Sequence, residues 1–268
     1  MAVSFSEITS RKNEKIIWAS KLSDKKTRDK EGVFFTEGIK LLDEAAESGF
    51  EIDKLFFTQK ALSLYEDSLS KTGCKDCFLV SDEVYEKLSD ESSPQGVFAV
   101  IKKKTFSPLS KESLKDGGFV ILEDIQNPQN LGAIFRCVFS LGSSKIIMTK
   151  NCADIYNPKT LRSAMGSVFK AESYVADDIG GLIESLKHVG NRVFCTHLHS
   201  QSLVLGTFDF KKSDSIVIGN EGHGVSDDTV KRCTSSVIIP MVENAESLNA
   251  ATASSIIIWE MNKSKLLP

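Results

Sequence analysis

Phe119-Val120-Ile121-Leu122-Glu123 runs into Asp124-Ile125-Gln126-Asn127-Pro128-Gln129 and then into Asn130-Leu131-Gly132-Ala133-Ile134-Phe135-Arg136. An apolar strand passes through a polar Asn-Pro turn into an amphipathic helix, with Asn130 expected as its N-cap. Leu131, Ile134, Phe135 and Val138 form the stripe that such a helix buries. Arg136 falls about 140° from Leu131 at ~100° per residue, so it lies off that stripe. The same rhythm continues with a strand at 145–149, helices near 157–167 and 178–189, strands at 193–196, 215–218 and 237–240, and a last helix over about 247–263. Apolar strands alternating with helices argue for an α/β fold with a mostly parallel sheet covered on both faces. Ligands then bind beyond the carboxyl ends of the strands.

Upstream, residues 1–104 form a smaller α/β module. Phe34, Ile39, Leu41, Leu42, Ala45 and Ala46 read as one helical stripe closed by Gly49. Ile52–Thr58 and Gly96–Ile101 read as strands, and Ser81 as a helix start. Residues 105–117 have the charge and turn formers of a linker, and 118–268 form the second domain. The 268 residues agree with roughly two domains at ~150 residues each.

Hydrophobic residues at 41% and charged residues at 26% exclude collagen-like, coiled-coil and wholly disordered chains. The net charge of −3 announces no nucleic-acid partner. Locally, however, residues 11–30 carry a net +5 and residues 102–115 a net +4. Placed on one face, these could follow a phosphate backbone, although each is also what a solvated helix face or linker looks like. No basic-then-apolar leader and no apolar run of ~18 residues is visible, so the expected location is the cytoplasm, with no membrane partner and the six cysteines reduced. Cys74-Lys-Asp-Cys77 is half of a zinc pattern with no second half nearby. His197 and His199 alternate onto one strand face, but no metal is expected.

Two further segments sit where strands end. Ile216-Val217-Ile218-Gly219-Asn220-Glu221-Gly222-His223-Gly224 has the order G-x-x-G-x-G, which is not the dinucleotide fingerprint. No phosphate-loop G-K-[ST] exists, which disfavours NAD and ATP sites. The glycines would let a ligand approach the backbone closely. Ile239-Pro240-Met241-Val242-Glu243-Asn244-Ala245-Glu246-Ser247-Leu248-Asn249 is a strand end and loop before a helix rich in small residues. Ser247 is a candidate cap there, and Asn249 has no evident structural purpose.

In order and spacing these three segments resemble the motifs of the SpoU (TrmH) family of RNA ribose 2′-O-methyltransferases. Asn130 with Arg136 matches the first motif, Gly219, Glu221 and Gly222 the second, and Ile239, Pro240, Met241, Ser247, Leu248 and Asn249 the third. Asn249-Ala-Ala-Thr-Ala departs from the family's frequent Asn-Val-Ser-Val-Ala. Lys21-Leu22, Arg28 and Phe34-Phe35-Thr36-Glu37-Gly38 resemble the family's ribosomal-protein-like substrate-binding domain.

The resemblance implies a trefoil-knotted α/β methyltransferase domain, an obligate homodimer and S-adenosylmethionine as methyl donor. Cofactor contacts would come from Thr196, His197, Gly219, Ile239 and Leu248. A ribose 2′-oxygen of RNA would attack the methyl in line. Arg136 would act as base or as charge stabiliser, with Asn130, Glu221, Ser247 and Asn249 orienting the reactants. The N-terminal module favours ribosomal RNA of the large subunit over tRNA. A tRNA enzyme, a base methyltransferase and a catalytically silent RNA-binding relative are the alternatives.

Overall fold

A computed structural model describes residues 3–106, 108–143, 145–198, 201–243 and 247–267. In chain order it runs β1 (Ser6–Ile8), α1 (Glu14–Ser20), a 3-10 turn (Lys21–Ser23), α2 (Lys25–Glu31), β2 (Val33–Glu37), α3 (Ile39–Glu47), β3 (Ile52–Phe57), α4 (Gln59–Lys71), β4 (Cys77–Val80), α5 (Asp82–Tyr85) and β5 (Val97–Lys102). It continues with α6 (Lys111–Asp116), β6 (Val120–Leu122), α7 (Pro128–Ser140), β7 (Lys145–Thr149), α8 (Pro158–Ala164), α9 (Ser167–Lys170), β8 (Glu172–Ala176) and α10 (Ile179–His188). Last come β9 (Val193–Thr196), β10 (Leu203–Val204), β11 (Ser215–Ile218), α11 (Asp227–Arg232), β12 (Ser235–Ile238) and α12 (Ala250–Leu266). Two compact units result: 1–105 with 156–169, and 106–155 with 170–268.

The first unit is built on a five-stranded sheet ordered β1-β4-β3-β5-β2, with β5 antiparallel to both of its neighbours. Side chains alternate faces along a strand, so β2 divides its aromatics. Phe35 joins Ile16, Leu22, Phe56, Tyr85 and Phe98 in one core. Phe34, one residue earlier, stacks on Tyr156 at 4.4 Å and meets Phe169 at 6.0 Å. The 156–169 segment thus covers an edge strand that is buried along its whole length. Phe34 therefore belongs to a strand and not to the helical stripe expected for it; that stripe is Leu41, Leu42 and Ala45 of α3. Gly38, at φ +86°, separates the two periods.

Arg28 also departs from expectation. Counted above among the basic groups, it is buried, and one guanidinium nitrogen donates to the carbonyls of Leu22 (2.9 Å) and Ser23 (2.8 Å). It ties α2 to the preceding 3-10 turn. Lys102 and Lys103 pair with Glu51 and Asp29, and Lys104 lies 4.0 Å over the Phe50 ring.

The second unit carries a seven-stranded sheet in which every pair is parallel, ordered β10-β12-β9-β11-β6-β7-β8. Its central strands are continuous apolar runs because helices cover both faces; Val120-Ile121-Leu122 and Ser215-Ile216-Val217-Ile218 are wholly buried. From β6 the chain first builds outward through β7 and β8. It then crosses to the other side, where β11 comes to lie between β9 and β6, and β12 is added last between β9 and β10. The order therefore switches between β6 and β11, and ligands of such sheets bind beyond the carboxyl ends of the strands near that point. β12 ends at Ile238, two residues before the proline at which the expected strand closed.

Candidate functional site

A cavity of about 380 Å³ lies at the carboxyl ends of β9, β11 and β12, on one side of the switch point. Thr196, His197, Gly219, Ile239 and Leu248, the five expected cofactor contacts, all line it, together with Glu221 and Ser247. Its apolar wall comes from Ile218, Val225, Val237, Ala253 and Ile257, which sequence reasoning did not single out. Around the mouth, Leu198, Met241 and Leu248 expose apolar surface, Leu198 to 65%. Apolar walls with a few convergent polar groups characterise a small-molecule site. His199 lies outside the described residues, and among those no group of three His, Cys, Asp or Glu could hold a metal.

A single hydrogen-bonded chain joins the three loops. Asn130 Nδ2 donates to Glu221 Oε1 at 3.0 Å, and Asn130 Oδ1 accepts from Asn249 Nδ2 at 3.0 Å. Glu221 also accepts from the backbone N–H groups of Gln126 and Asn127, each at 3.1 Å. Its carboxylate stitches the loop after β11 to the loop after β6. Burial pushes its pKa up, but the bonds from Asn130, from its own backbone and from Gln126 and Asn127 outweigh that and leave it below the usual carboxylate range.

Two caps replace those expected. Asn127, not Asn130, caps α7, accepting from Gln129 N at 2.8 Å and Asn130 N at 3.4 Å, with Pro128 in the first turn. Proline at the first helical position is the signal that places the cap on the residue before it, Asn127, and Asn130 is thereby freed to turn its amide inward. At α12 the cap is Asn249 and not Ser247: Oδ1 accepts from Ala251 N (2.9 Å) and Thr252 N (3.3 Å) while Nδ2 reaches Asn130. One side chain both starts a helix and ties it to the first loop. Capping belongs to the side chain's oxygen and bridging to its nitrogen, so only Asn serves both.

Gly219 has a structural reason different from close approach by a ligand. A Cβ there would lie 2.1 Å from Gly224 C and 2.2 Å from Val225 N. The loop folds back onto itself, with Asn220 and Gly224 exchanging backbone hydrogen bonds at 3.0 Å. Asn220 Nδ2 then donates to the Asp124 carbonyl at 2.7 Å. Asp124 itself sits in the left-handed region at φ +57°, held by Thr149, whose hydroxyl accepts from its N–H at 2.9 Å and donates to its carboxylate at 2.5 Å. Neighbouring Glu123 is buried and accepts from Ser226 Oγ (2.7 Å), Ser226 N (3.1 Å) and Thr229 Oγ1 (2.9 Å), anchoring the start of α11.

Arg136 stands apart. It is exposed on α7 and does not line the cavity of its own chain. Arg136 and Phe139, three residues apart, share an exposed face of α7; Ile256 and Trp259 do the same on α12. The two helices pack together, with Cys137 Sγ and Ser255 Oγ 2.9 Å apart.

A parallel α/β sheet with two motif-bearing loops around a cofactor-sized cavity at its carboxyl end and a third motif hydrogen-bonded to them, in a chain that also has a separate mixed-sheet unit, is the architecture of an α/β transferase with an added module. Residues 118–259 match the SpoU rRNA Methylase family and residues 13–99 the MRM3-like substrate binding domain. The chain belongs to the SpoU rRNA methylase family. It is 29% identical to the 23S rRNA (guanosine(2553)-2′-O)-methyltransferase RlmP of Bacillus subtilis, over 95% of this chain and 98% of that one. It is 28% identical to a 23S rRNA (uridine(2479)-2′-O)-methyltransferase of Streptomyces viridochromogenes, over 97% and 92%. The crystal structure of an AdoMet-bound rRNA methyltransferase from Sinorhizobium meliloti superposes with a TM-score of 0.85 at 28% identity, covering 98% of this chain and 99% of that one.

Proposed function

We propose that this protein transfers a methyl group from S-adenosylmethionine to a ribose 2′-hydroxyl of ribosomal RNA, with the large-subunit 23S RNA as substrate. The carrying observation is the cavity walled by the second and third motif segments, to which Asn130 of the first is tied through Glu221 and Asn249. The named relatives of B. subtilis and S. viridochromogenes, both acting on 23S rRNA, support the substrate.

The residues present fit the methyl donor. Ile218, Val237 and Ile257 offer an apolar wall to a flat base, and the turns at Thr196–His197, Gly219 and Ile239 bring backbone groups to the rim. When bound, S-adenosylmethionine supplies an already activated methyl, so positioning the acceptor oxygen carries much of the acceleration. Glu221 is a positioning residue, because its oxygens are engaged by Gln126, Asn127 and Asn130. Asn130 and Asn249 hold the first and third loops in register, and Ser247 lines the cavity where the ribose would enter. Arg136 stabilises the developing alkoxide. A guanidinium pKa above ~12 makes it a poor base, and an exposed cation is free to meet the RNA.

The assembly we infer is a homodimer. The α12 helix buries Ile257 and Ile258 and still exposes Ile256 and Trp259, so both of its faces need cover. A second copy seated there would bring its own Arg136 towards the first copy's cavity. The trefoil knot, residues 1–104 as the RNA-binding domain, 105–117 as the linker and a cytoplasmic location complete the reading. The family membership and the absence, among the described residues, of a helix able to cross a membrane support them. No step of the chemistry calls for a metal.

The test is transfer of labelled methyl from S-adenosylmethionine to separated, unmodified rRNA and tRNA, followed by nucleoside analysis. Label recovered from rRNA as a 2′-O-methyl nucleoside is the expected result. Label in tRNA overturns the substrate, label on a base overturns the reaction, and bound RNA without label leaves a binding protein.

A further inference from the structure

A second cleft, of about 690 Å³, opens at the opposite end of the same sheet, where the amino ends of β6, β7 and β11 meet the last turns of α12. Four lysines converge on it: Lys145, Lys211, Lys212 and Lys265. Its two carboxylates are already engaged. Asp116 pairs with Lys145 at 3.4 Å. Asp214, with no exposed side-chain surface, is gripped by Arg192 through Nε (2.9 Å) and Nη2 (2.5 Å) and by the backbone N–H of Lys211 (2.6 Å). Among the described residues no carboxylate lies within ion-pair reach of the ammonium groups of Lys211, Lys212 or Lys265.

The positive charge is also held in place. Asn262, only 2% exposed, accepts from Lys265 Nζ at 2.7 Å and donates to Ser143 Oγ at 2.9 Å. Ser143, on the cleft wall, thus has a lone pair occupied and its own proton left to donate. Burial, and then the charge of Lys212, hold the Lys265 ammonium below its ordinary range. Like charges fixed in a concave site raise the local potential for an anion. Ammonium groups arriving from separate segments, with the Ser143 hydroxyl lining the same cleft, suit a tetrahedral oxyanion with acceptor oxygens on every side.

We propose that this cleft is a second anion site that takes a phosphate group, held by Lys212, Lys265 and Ser143. Inorganic phosphate and the phosphodiester backbone of RNA present the same chemistry. The RNA source rests on the proposed function, whereas binding of inorganic phosphate does not.

The experiment is calorimetric titration of the full chain with inorganic phosphate at low ionic strength. Wild type is expected to show saturable one-site binding, with at least tenfold weaker binding for Lys212→Gln/Lys265→Gln. Lys212→Arg/Lys265→Arg, which keeps the charge, should stay within a few-fold of wild type. Lys71→Gln/Lys75→Gln, which removes two exposed charges outside the cleft and outside the basic stretches 11–30 and 102–115, should stay within twofold. Absence of saturable binding in wild type, or equal losses in the two Gln pairs, overturns the site. A second arm measures an rRNA fragment against salt. Weaker RNA binding with a shallower salt slope in Lys212→Gln/Lys265→Gln alone assigns the site to the RNA backbone. RNA binding unchanged while phosphate binding is lost assigns it to free phosphate.

Discussion

Replacing Asn249 separates the two tasks of one side chain. Asn249→Ala removes the cap on Ala251 and Thr252, worth about 1 kcal/mol. It also strips Asn130 Oδ1, on a residue only 9% exposed, of its donor, at a cost of about 1–2 kcal/mol. The first turn of α12 should therefore open more easily by about 2–3 kcal/mol, or about 30- to 150-fold in population. Asn249→Ser keeps a capping hydroxyl and loses only the reach to Asn130, so its opening should rise by about 5- to 30-fold. Amide hydrogen exchange over residues 250–258 reads this local opening directly, which suits a chain of two units whose global unfolding is not expected to be two-state. Leu248, Ala250, Ala253 and Ile257 belong to the cavity wall, so S-adenosylmethionine affinity should fall in the same order. Unchanged exchange in Asn249→Ala, or equal exchange in the two variants, would refute the division of labour.

Three further outcomes follow from the same geometry. Gly219→Ala drives a Cβ into the backbone of Gly224 and Val225, so amide exchange in the loop over residues 219–225 should speed up by an opening cost of about 1–3 kcal/mol, with ligand binding abolished. Glu221 has a depressed folded-state pKa, so its contribution is present above the unfolded value of about 4.3 and lost as pH falls through the folded one. The thermal midpoint of wild type should accordingly exceed that of Glu221→Gln near neutrality and converge with it below that value. Trp259→Glu places a charge on the exposed face of α12, and sedimentation is expected to report a dimer for wild type and monomers for the variant.

Alternating apolar strands and helices made the second unit legible, because a doubly covered parallel sheet writes itself as buried runs such as 119–122 and 215–218. Periodicity failed where a short strand abuts a helix: Phe34 fits a 3.6 stripe drawn through Leu41 and Leu42 yet sits in β2. The 156–169 segment reads as part of the second domain in sequence but packs with the first unit, a consequence of Phe34 and Phe50 needing aromatic partners.

The site was legible as residues and not as bonds. Asn130, Glu221 and Asn249 stand in three segments separated by about ninety and thirty positions, and no local pattern reports that their amides and carboxylate meet. Likewise Arg28 reads as one basic residue among eight, and only the packed 3-10 turn shows it spent on carbonyls.

On the proposed reading the cavity holds a methyl donor while Arg136, outside it, serves the transfer. The most direct measurement compares Arg136→Ala with wild type in both S-adenosylmethionine binding and single-turnover methyl transfer to unmodified 23S rRNA. Affinity for the donor is expected to stay within about threefold and transfer to slow by about 10²- to 10³-fold, the loss typical of one removed charge stabiliser. Transfer at the wild-type rate, or a parallel collapse of donor binding, would contradict that reading.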